Sequence, residues 1–180
     1  MNLENLKAQI KDYAKDVRLN LDGVLSEEGA PGLSQKQITA IGLSSAYVTK
    51  NKELITFFEG ACAETLDDAY LNACRAAATV MAMNNVYYRF LHFLEEGASA
   101  EAEFSKMPAR LRMNIIGKPG IEKMDFELLA LAVSAIEGCG KCVTSHVHEL
   151  KKAGATAEAI QSSIRIAAVV NSAAQALTIG

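Results

Sequence analysis

Residues 125–150 of the chain read DFELLALAVSAIEGCGKCVTSHVHEL, an apolar run followed by paired glycines, cysteines and histidines. Asp125 belongs to the residue types that cap helices, so we expect Asp125 to cap a helix that follows it. Gly138 and Gly140 are costly inside a helix and therefore predict a break. The stretch thus predicts two consecutive helices, with Cys139 at the start of the second.

Apolar residues recur at helical spacing through most of the rest of the chain, and no clean strand alternation exceeds four residues. One such stripe near the N terminus consists of Leu3, Leu6, Ile10, Tyr13 and Val17. Caps and breaks predict the other helices. The first runs from Ser34 to about Thr49, a shorter one covers about 51–63, and a long one covers 66–97, with a bend near Asn84 and Asn85 and an end at Gly97. The helix with the cysteines ends at Gly154, and the last helix starts near Thr156. Residues 98–123, with two prolines, are expected to be loop-like. The predicted fold class is all-α.

The length of 180 residues suits a single domain, with a helical N-terminal half of about 1–97 and a half of about 98–180 that contains the cysteine pair. Residues 68–97 align without a gap to 125–154, which places Asn85 opposite Cys142 and Arg89 opposite His146. This alignment has two interpretations: a duplicated helical unit, or two similar amphipathic helices.

Composition excludes several classes of function. The net charge is −3, and no cluster of lysine and arginine interleaves with aromatic residues, so we expect no nucleic-acid partner. The N terminus is charged from its start and no apolar run approaches the ~18 residues of a membrane span, so we expect a cytoplasmic protein. In that reducing compartment, a C-x-x-C pair is more often catalytic or metal-binding than structural.

Cys139, Cys142 and His146 fall within ~60° of one another on one helix face. His146 lies one turn after Cys142, where an imidazole can take the thiol proton or hold the thiolate. A helix N-terminus also favours a thiolate. These residues predict a redox dithiol; a zinc site and a structural disulfide are the alternatives, although His148 points to another face and leaves zinc with three converging ligands.

Other residues near this motif have two interpretations each. Glu127 either orients His146 or is an ordinary glutamate in the first turn of a helix. Lys141 either lowers the pKa of a neighbouring thiol or is simply solvated. Cys62 and Cys74 lie in apolar helical stretches and are expected to be buried, inert thiols. We expect His92 to be packed or at the surface.

Residues 113–150 strongly resemble the alkyl hydroperoxidase D family, the peroxidase branch of the carboxymuconolactone decarboxylase-like group. The family pattern is a glutamate, eleven residues and then C-x-x-C-x-x-x-H, and Glu127, Cys139, Cys142 and His146 match it. The stretches LKAQIKDYAKDVRLNL and MAMNNVYYRF extend the likeness over most of the chain. The family often has a histidine between the cysteines, where this chain has Lys141, which puts any role of that position in doubt.

The resemblance implies an all-α homotrimer that reduces alkyl hydroperoxides and hydrogen peroxide. Cys142 would attack the peroxide and become a sulfenic acid, and Cys139, the more accessible sulfur, would donate a proton and close the disulfide. Glu127 and His146 would form the proton relay. No bound cofactor or metal is implied; a dihydrolipoyl group on a partner protein would supply electrons, and a peroxiredoxin is a further candidate partner.

Three other functions are alternatives to the peroxidase. A disulfide reductase or adaptor would use the same dithiol to pass electrons to a peroxiredoxin with little peroxidase activity of its own. A non-redox, decarboxylase-like member of the group would lack the C-x-x-C pair, which this chain has. A zinc-binding module would use the cysteines and His146 as ligands.

Overall fold

The computed structural model of the chain describes residues 1–96 and 102–180, which form helices and no strand. The prediction of an all-α fold is confirmed. In chain order the helices are α1 (Leu3–Lys7), a 3₁₀ helix (Asp12–Ala14), α2 (Lys15–Val24), α3 (Gln35–Thr49), α4 (Lys52–Cys62), α5 (Asp68–Glu96), α6 (Ala102–Lys106), α7 (Asn114–Gly117), α8 (Lys123–Ile136), α9 (Gly140–Lys152) and α10 (Ala157–Ile179).

The N-terminal stripe does not lie on one helix. The chain breaks after α1 and resumes through the 3₁₀ turn into α2, so residues of the stripe face different directions. Leu6 and Ile10 are fully buried, whereas the Tyr13 ring is 59% exposed and its hydroxyl donates to the carbonyl of Ala176. The prediction of a single helical stripe was therefore wrong at Tyr13.

Helix caps explain most of the predicted boundaries. Ser34 and Gln37 form a capping box at the start of α3, and the Thr156 side chain caps α10. Asp125 does not cap α8, which begins two residues earlier; its carboxylate instead accepts hydrogen bonds from Gln37 and Tyr70. Asp125 thus ties α8 to α3 and α5, and its prediction as a cap was wrong.

Helix α8 forms the centre of the molecule. Its residues 126–134 are all buried, and it packs against α3, α5, α9 and α10. Its neighbour α3 in turn packs closely against α4 at Gly42, where an added Cβ would lie 2.2 Å from the Phe58 ring. Burial on every side explains why α8 reads as an almost uninterrupted apolar run.

The region expected to be loop-like contains two short helices, α6 and α7, separated by extended and irregular chain. Helix α5 is continuous through Asn84 and Asn85 as far as Glu96. Its predicted end at Gly97, like residues 98–101, lies outside the described residues. Among the helices in the described parts of the chain, none is both long and apolar enough to cross a membrane.

Candidate active site

The corner between α8 and α9 presents the cysteine pair. Gly138 adopts a left-handed backbone with φ +71°, and the N–H groups of Gly138 and Cys139 bond to the carbonyls of Ala135 and Ser134, the pattern that ends many helices. Cys139 is then the N-cap of α9, and its sulfur accepts the N–H of Cys142 at 3.3 Å. The predicted break, and Cys139 at the start of the second helix, are confirmed.

Side chains of α5 form hydrogen bonds with this corner. The Arg89 guanidinium donates to the carbonyl of Glu137, and the Ser134 hydroxyl donates to the Asn85 side chain at 3.0 Å. Asn85 is fully buried. The internal alignment placed Arg89 opposite His146 and Asn85 opposite Cys142. Both aligned α5 residues therefore contact the corner that carries the cysteine pair, Arg89 through a backbone carbonyl and Asn85 through a serine side chain.

Cys139 and Cys142 are joined by a disulfide, with their Cα atoms 5.3 Å apart. The disulfide is therefore compatible with an α9 helix that begins at Gly140. Cys139 is fully buried and Cys142 is 7% exposed, so in this oxidised form the expectation that Cys139 is the more accessible sulfur was wrong. The reason is local: the N-cap position folds the Cys139 sulfur back over the first turn of α9, whereas Cys142 faces a cavity.

His146 and Glu127 form a buried pair across α8 and α9. The His146 Nδ1 atom lies 2.7 Å from the Glu127 Oε2 atom, and the two residues are only 8% and 3% exposed. A carboxylate at Nδ1 fixes the orientation of an imidazole and leaves Nε2 for chemistry, as in other nucleophile–base–orienter sets. Of the two interpretations of Glu127, the structure favours the orienting one.

A cavity of about 600 Å³ brings the predicted residues together. Its wall includes Cys142, His146 and Glu127. Lys141, for which the sequence left two interpretations open, also lines the cavity. The rest of the wall consists of residues that sequence reasoning did not single out for chemistry: Met81, Asn84 and Tyr88 from α5, Met113, Ile116 and Gly117 from the segment before α8, Lys123 from α8, and Ser145 and Glu149 from α9.

The α5 side of this cavity combines one polar group with apolar neighbours. Asn84 is 4% exposed, and its Oδ1 atom has no hydrogen-bond partner among the described residues. Met81, Asn84 and Tyr88 follow helical spacing, which identifies one face of α5. That spacing was visible in the sequence, but only the packing of α5 against α9 shows that this face meets the cysteine pair.

The remaining cysteines are separate from this site. Cys62 and Cys74 are fully buried in the core, as predicted. Burial raises the pKa of the Cys62 thiol to about 12 and that of Cys74 to about 11. Both thiols are therefore protonated and unreactive at neutral pH.

The other histidines lie around the site in different ways. His148 is exposed on α9, as its position on the helix predicted. His92 is half-buried on α5, and its ring lies beside Gly140 at the start of α9. A Cβ atom added to Gly140 would lie 3.5 Å from the His92 Nε2 atom. Within residues 1–96 and 102–180, no three His, Cys, Asp or Glu side chains are grouped to hold a metal ion.

Comparison with known proteins gives one consistent result. Residues 102–179 match the carboxymuconolactone decarboxylase family. A protein of Coxiella burnetii (strain Dugway 5J108-111) called alkyl hydroperoxide reductase AhpD is 52% identical over 174 residues, which cover 96% of this chain and 95% of the relative. Proteins with the same name from Hyphomonas neptunium and Rhodospirillum centenum are 49% and 45% identical over 177 residues, 98% of this chain and 94% and 91% of the relatives.

Proposed function

Since this chain belongs to the alkyl hydroperoxide reductase AhpD family, within the carboxymuconolactone decarboxylase group, we propose that it is a thiol peroxidase acting on alkyl hydroperoxides and hydrogen peroxide. One observation carries the proposal: a closable cysteine pair lies at the same cavity as a buried histidine–glutamate pair. A dithiol of this kind needs no bound cofactor, only an external reductant.

Cys142 is the proposed nucleophile because it faces the cavity and Cys139 does not. In the reduced enzyme its thiolate attacks the terminal oxygen of the hydroperoxide. The S–O bond forms as the O–O bond breaks, so the sulfur is oxidised to a sulfenic acid and the peroxide is reduced to an alcohol. The Cys139 thiol then attacks the Cys142 sulfur, which forms the disulfide and releases water.

The histidine–glutamate pair accounts for the protons in these steps. Glu127 holds the Nδ1 side of His146, which leaves Nε2 to accept the proton of the Cys142 thiol. The same proton can pass to the alkoxide that leaves when the O–O bond breaks. Both residues are buried, so this exchange takes place away from bulk water and the charges are weakly screened.

The cavity wall supports organic hydroperoxides as substrates. Beside the sulfur, it has the apolar side chains of Met81, Met113 and Ile116 and the ring of Tyr88. A cavity of about 600 Å³ is much larger than hydrogen peroxide requires. We therefore expect an alkyl hydroperoxide to gain binding energy from this wall that hydrogen peroxide does not.

Return of the enzyme to its dithiol form requires thiol–disulfide exchange with an external dithiol. Because both sulfurs are almost completely buried, the reductant has to be slender enough to enter the cavity. A dihydrolipoyl group on a partner protein meets that requirement, and we propose it as the donor. In the alternative function, the reduced enzyme would pass its electrons to a peroxiredoxin instead of to a peroxide.

We also propose that residues 1–180 act as one domain and that three copies of it associate. Val86, Phe90 and Phe93 lie on one side of α5 and are 58%, 46% and 61% exposed. Contiguous apolar surface of this kind is uncommon on monomers and typical of interfaces. Self-association through α5 would cover it next to the active site.

Mass spectrometry of the reduced protein after one equivalent of an alkyl hydroperoxide tests the proposed chemistry. We expect a Cys139–Cys142 disulfide, with Cys62 and Cys74 recovered as free thiols because they are buried and protonated. Steady-state peroxide consumption with dihydrolipoamide, measured beside reduction of a peroxiredoxin, separates the peroxidase from an adaptor. Fully reduced cysteines after peroxide treatment, together with rapid peroxiredoxin reduction, would overturn the proposal.

A further inference from the structure

The segment of residues 106–123 runs from the last residue of α6 to the first residue of α8, and its net charge is positive whereas that of the whole chain is negative. It contains five of the 18 lysines and arginines and only one of the 21 acidic residues, in a protein of net charge −3. The cationic residues are Lys106, Arg110, Arg112, Lys118 and Lys123. No aromatic residue interleaves with them, so the pattern is not that of a nucleic-acid surface.

These charges are available to a partner. All five cationic side chains are exposed. Lys123 pairs with Glu149 at 2.9 Å, but the other four make no ion pair with any residue in the described parts of the chain. Surface cations that outnumber the acidic residues around them in the chain create a local positive potential that extends over about one Debye length, ~8–10 Å, into solvent.

The same segment forms one wall of the active-site cavity. Met113, Ile116 and Gly117 line the cavity, and Arg112 and Lys118 are their immediate neighbours in the chain. Met113 and Ile116 of the segment therefore face the cavity, and so does Lys123, whereas its other four cationic residues are exposed and do not line the cavity. A molecule that reaches Cys142 through this cavity passes beside the segment.

The burial of the disulfide indicates what kind of molecule the exposed cations would bind. With Cys139 0% and Cys142 7% exposed, only a slender group can reach the sulfurs, and the protein that carries this group stays outside the cavity. Four of the five exposed cations, Lys106, Arg110, Arg112 and Lys118, lie outside the cavity wall as well, and they are spread along the segment rather than grouped at one point in the sequence. Their position fits the body of a carrier protein better than the peroxide.

We propose that the 106–123 segment is the docking surface for an acidic protein that carries the reducing dithiol on a slender arm, an inference that rests on the proposed function. Opposite charges would bring the carrier to the cavity mouth and raise the association rate. Once docked, the two thiols of the arm are oxidised to a disulfide as the Cys139–Cys142 bond is reduced. Two electrons and two protons pass to the enzyme, so the exchange is balanced.

The test compares the charge-reversal variant Arg112→Glu/Lys118→Glu with Lys11→Glu/Lys15→Glu, which makes the same change in net charge at exposed lysines of the N-terminal region. Each is assayed with a neutral organic hydroperoxide and two donors: an acidic lipoyl domain in its reduced form, and free, uncharged dihydrolipoamide. With the lipoyl domain at low salt, we expect kcat/KM of the first variant to fall about tenfold or more. This difference should shrink as salt is added.

Free dihydrolipoamide should reduce both variants at the wild-type rate, which also shows that they are folded. Arg112→Gln/Lys118→Gln provides a milder second variant, with an expected loss between those of the wild type and the charge reversal. Equal losses in the two charge-reversal variants, equal losses with both donors, or a rate insensitive to salt would overturn the docking surface. If the wild-type protein turns over no peroxide with either donor, the proposed function fails instead.

Discussion

Replacing Cys142 by serine is expected to abolish peroxide turnover, with a loss on the order of 10³-fold or more, as for other removed nucleophiles. A serine hydroxyl is far harder to ionise than a thiol and does not form the sulfenic acid or the disulfide. Cys142 is also the cysteine of the pair that faces the cavity. The measurement is steady-state consumption of an alkyl hydroperoxide with excess dihydrolipoamide.

Two variants serve as controls for this result. Cys62→Ser should retain turnover close to wild type, because that thiol is buried away from the cavity. In the absence of a reductant, prereduced Cys139→Ser should consume about one equivalent of peroxide and then stop, leaving a sulfenic acid on Cys142 that a dimedone-type reagent can trap. Near wild-type turnover in Cys142→Ser, or a sulfenic acid trapped on Cys139 in that variant, would refute the assignment of the nucleophile.

Replacing His146 by phenylalanine is expected to lower kcat/KM for the peroxide by about 10²–10⁴-fold, the usual contribution of a general acid–base residue. Phenylalanine keeps a planar ring in the buried site but removes both nitrogens. The Cys142 thiol then loses its proton acceptor, and the Glu127 carboxylate loses its partner at 2.7 Å. Stopped-flow measurement of the first equivalent of peroxide isolates this step from re-reduction.

The chain offers a matched control on the same helix. His148→Phe makes the identical chemical change two residues away, at an exposed position outside the cavity, and should leave kcat/KM close to wild type. Glu127→Gln keeps the size of the buried side chain and should cause a smaller loss than His146→Phe, because the imidazole remains. Equal effects of the two histidine substitutions would mean that His146 has no special place in the reaction.

Local patterns were enough to predict the longer helices α3, α4, α5, α8, α9 and α10 and the break that carries the cysteine pair, but not the break after α1 or the short helices α6 and α7. Ser34, Thr156 and Gly138 each determine a boundary through their own backbone and side-chain chemistry, so nearby sequence is sufficient. Asp125 shows the limit of this reasoning. A residue suited to capping is used instead to join α8 to α3 and α5, and such long-range hydrogen bonds leave no local trace.

The cavity could not be predicted for the same reason. Spacing along one helix brought Cys139, Cys142 and His146 together, and the family resemblance favoured the orienting one of the two interpretations of Glu127 on the preceding helix. Asn84 and Tyr88 belong to α5, more than 50 residues before Cys142, and Met113 belongs to a segment expected to be loop-like. These residues share one cavity only because α5 packs against α9 and the segment before α8 completes the wall.

Exposure of the two sulfurs likewise depended on tertiary structure. The family resemblance implied that Cys139 is the accessible sulfur, but in the disulfide form the N-cap position buries it and leaves Cys142 at the cavity wall. This arrangement strengthens the case for a slender reductant. We also expect exchange with the external dithiol to begin at Cys142, the sulfur at the cavity wall.

The central claim is that His146, held by Glu127, keeps the Cys142 sulfur anionic at neutral pH, and the pH dependence of its alkylation tests this most directly. The measurement uses reduced Cys139→Ser protein and follows iodoacetamide labelling of the Cys142 peptide by mass spectrometry. The account predicts a midpoint well below the ~8.5 of an ordinary cysteine, and a rise when His146→Phe is added. A midpoint at or above the ordinary value, or one that His146→Phe leaves unchanged, would contradict it.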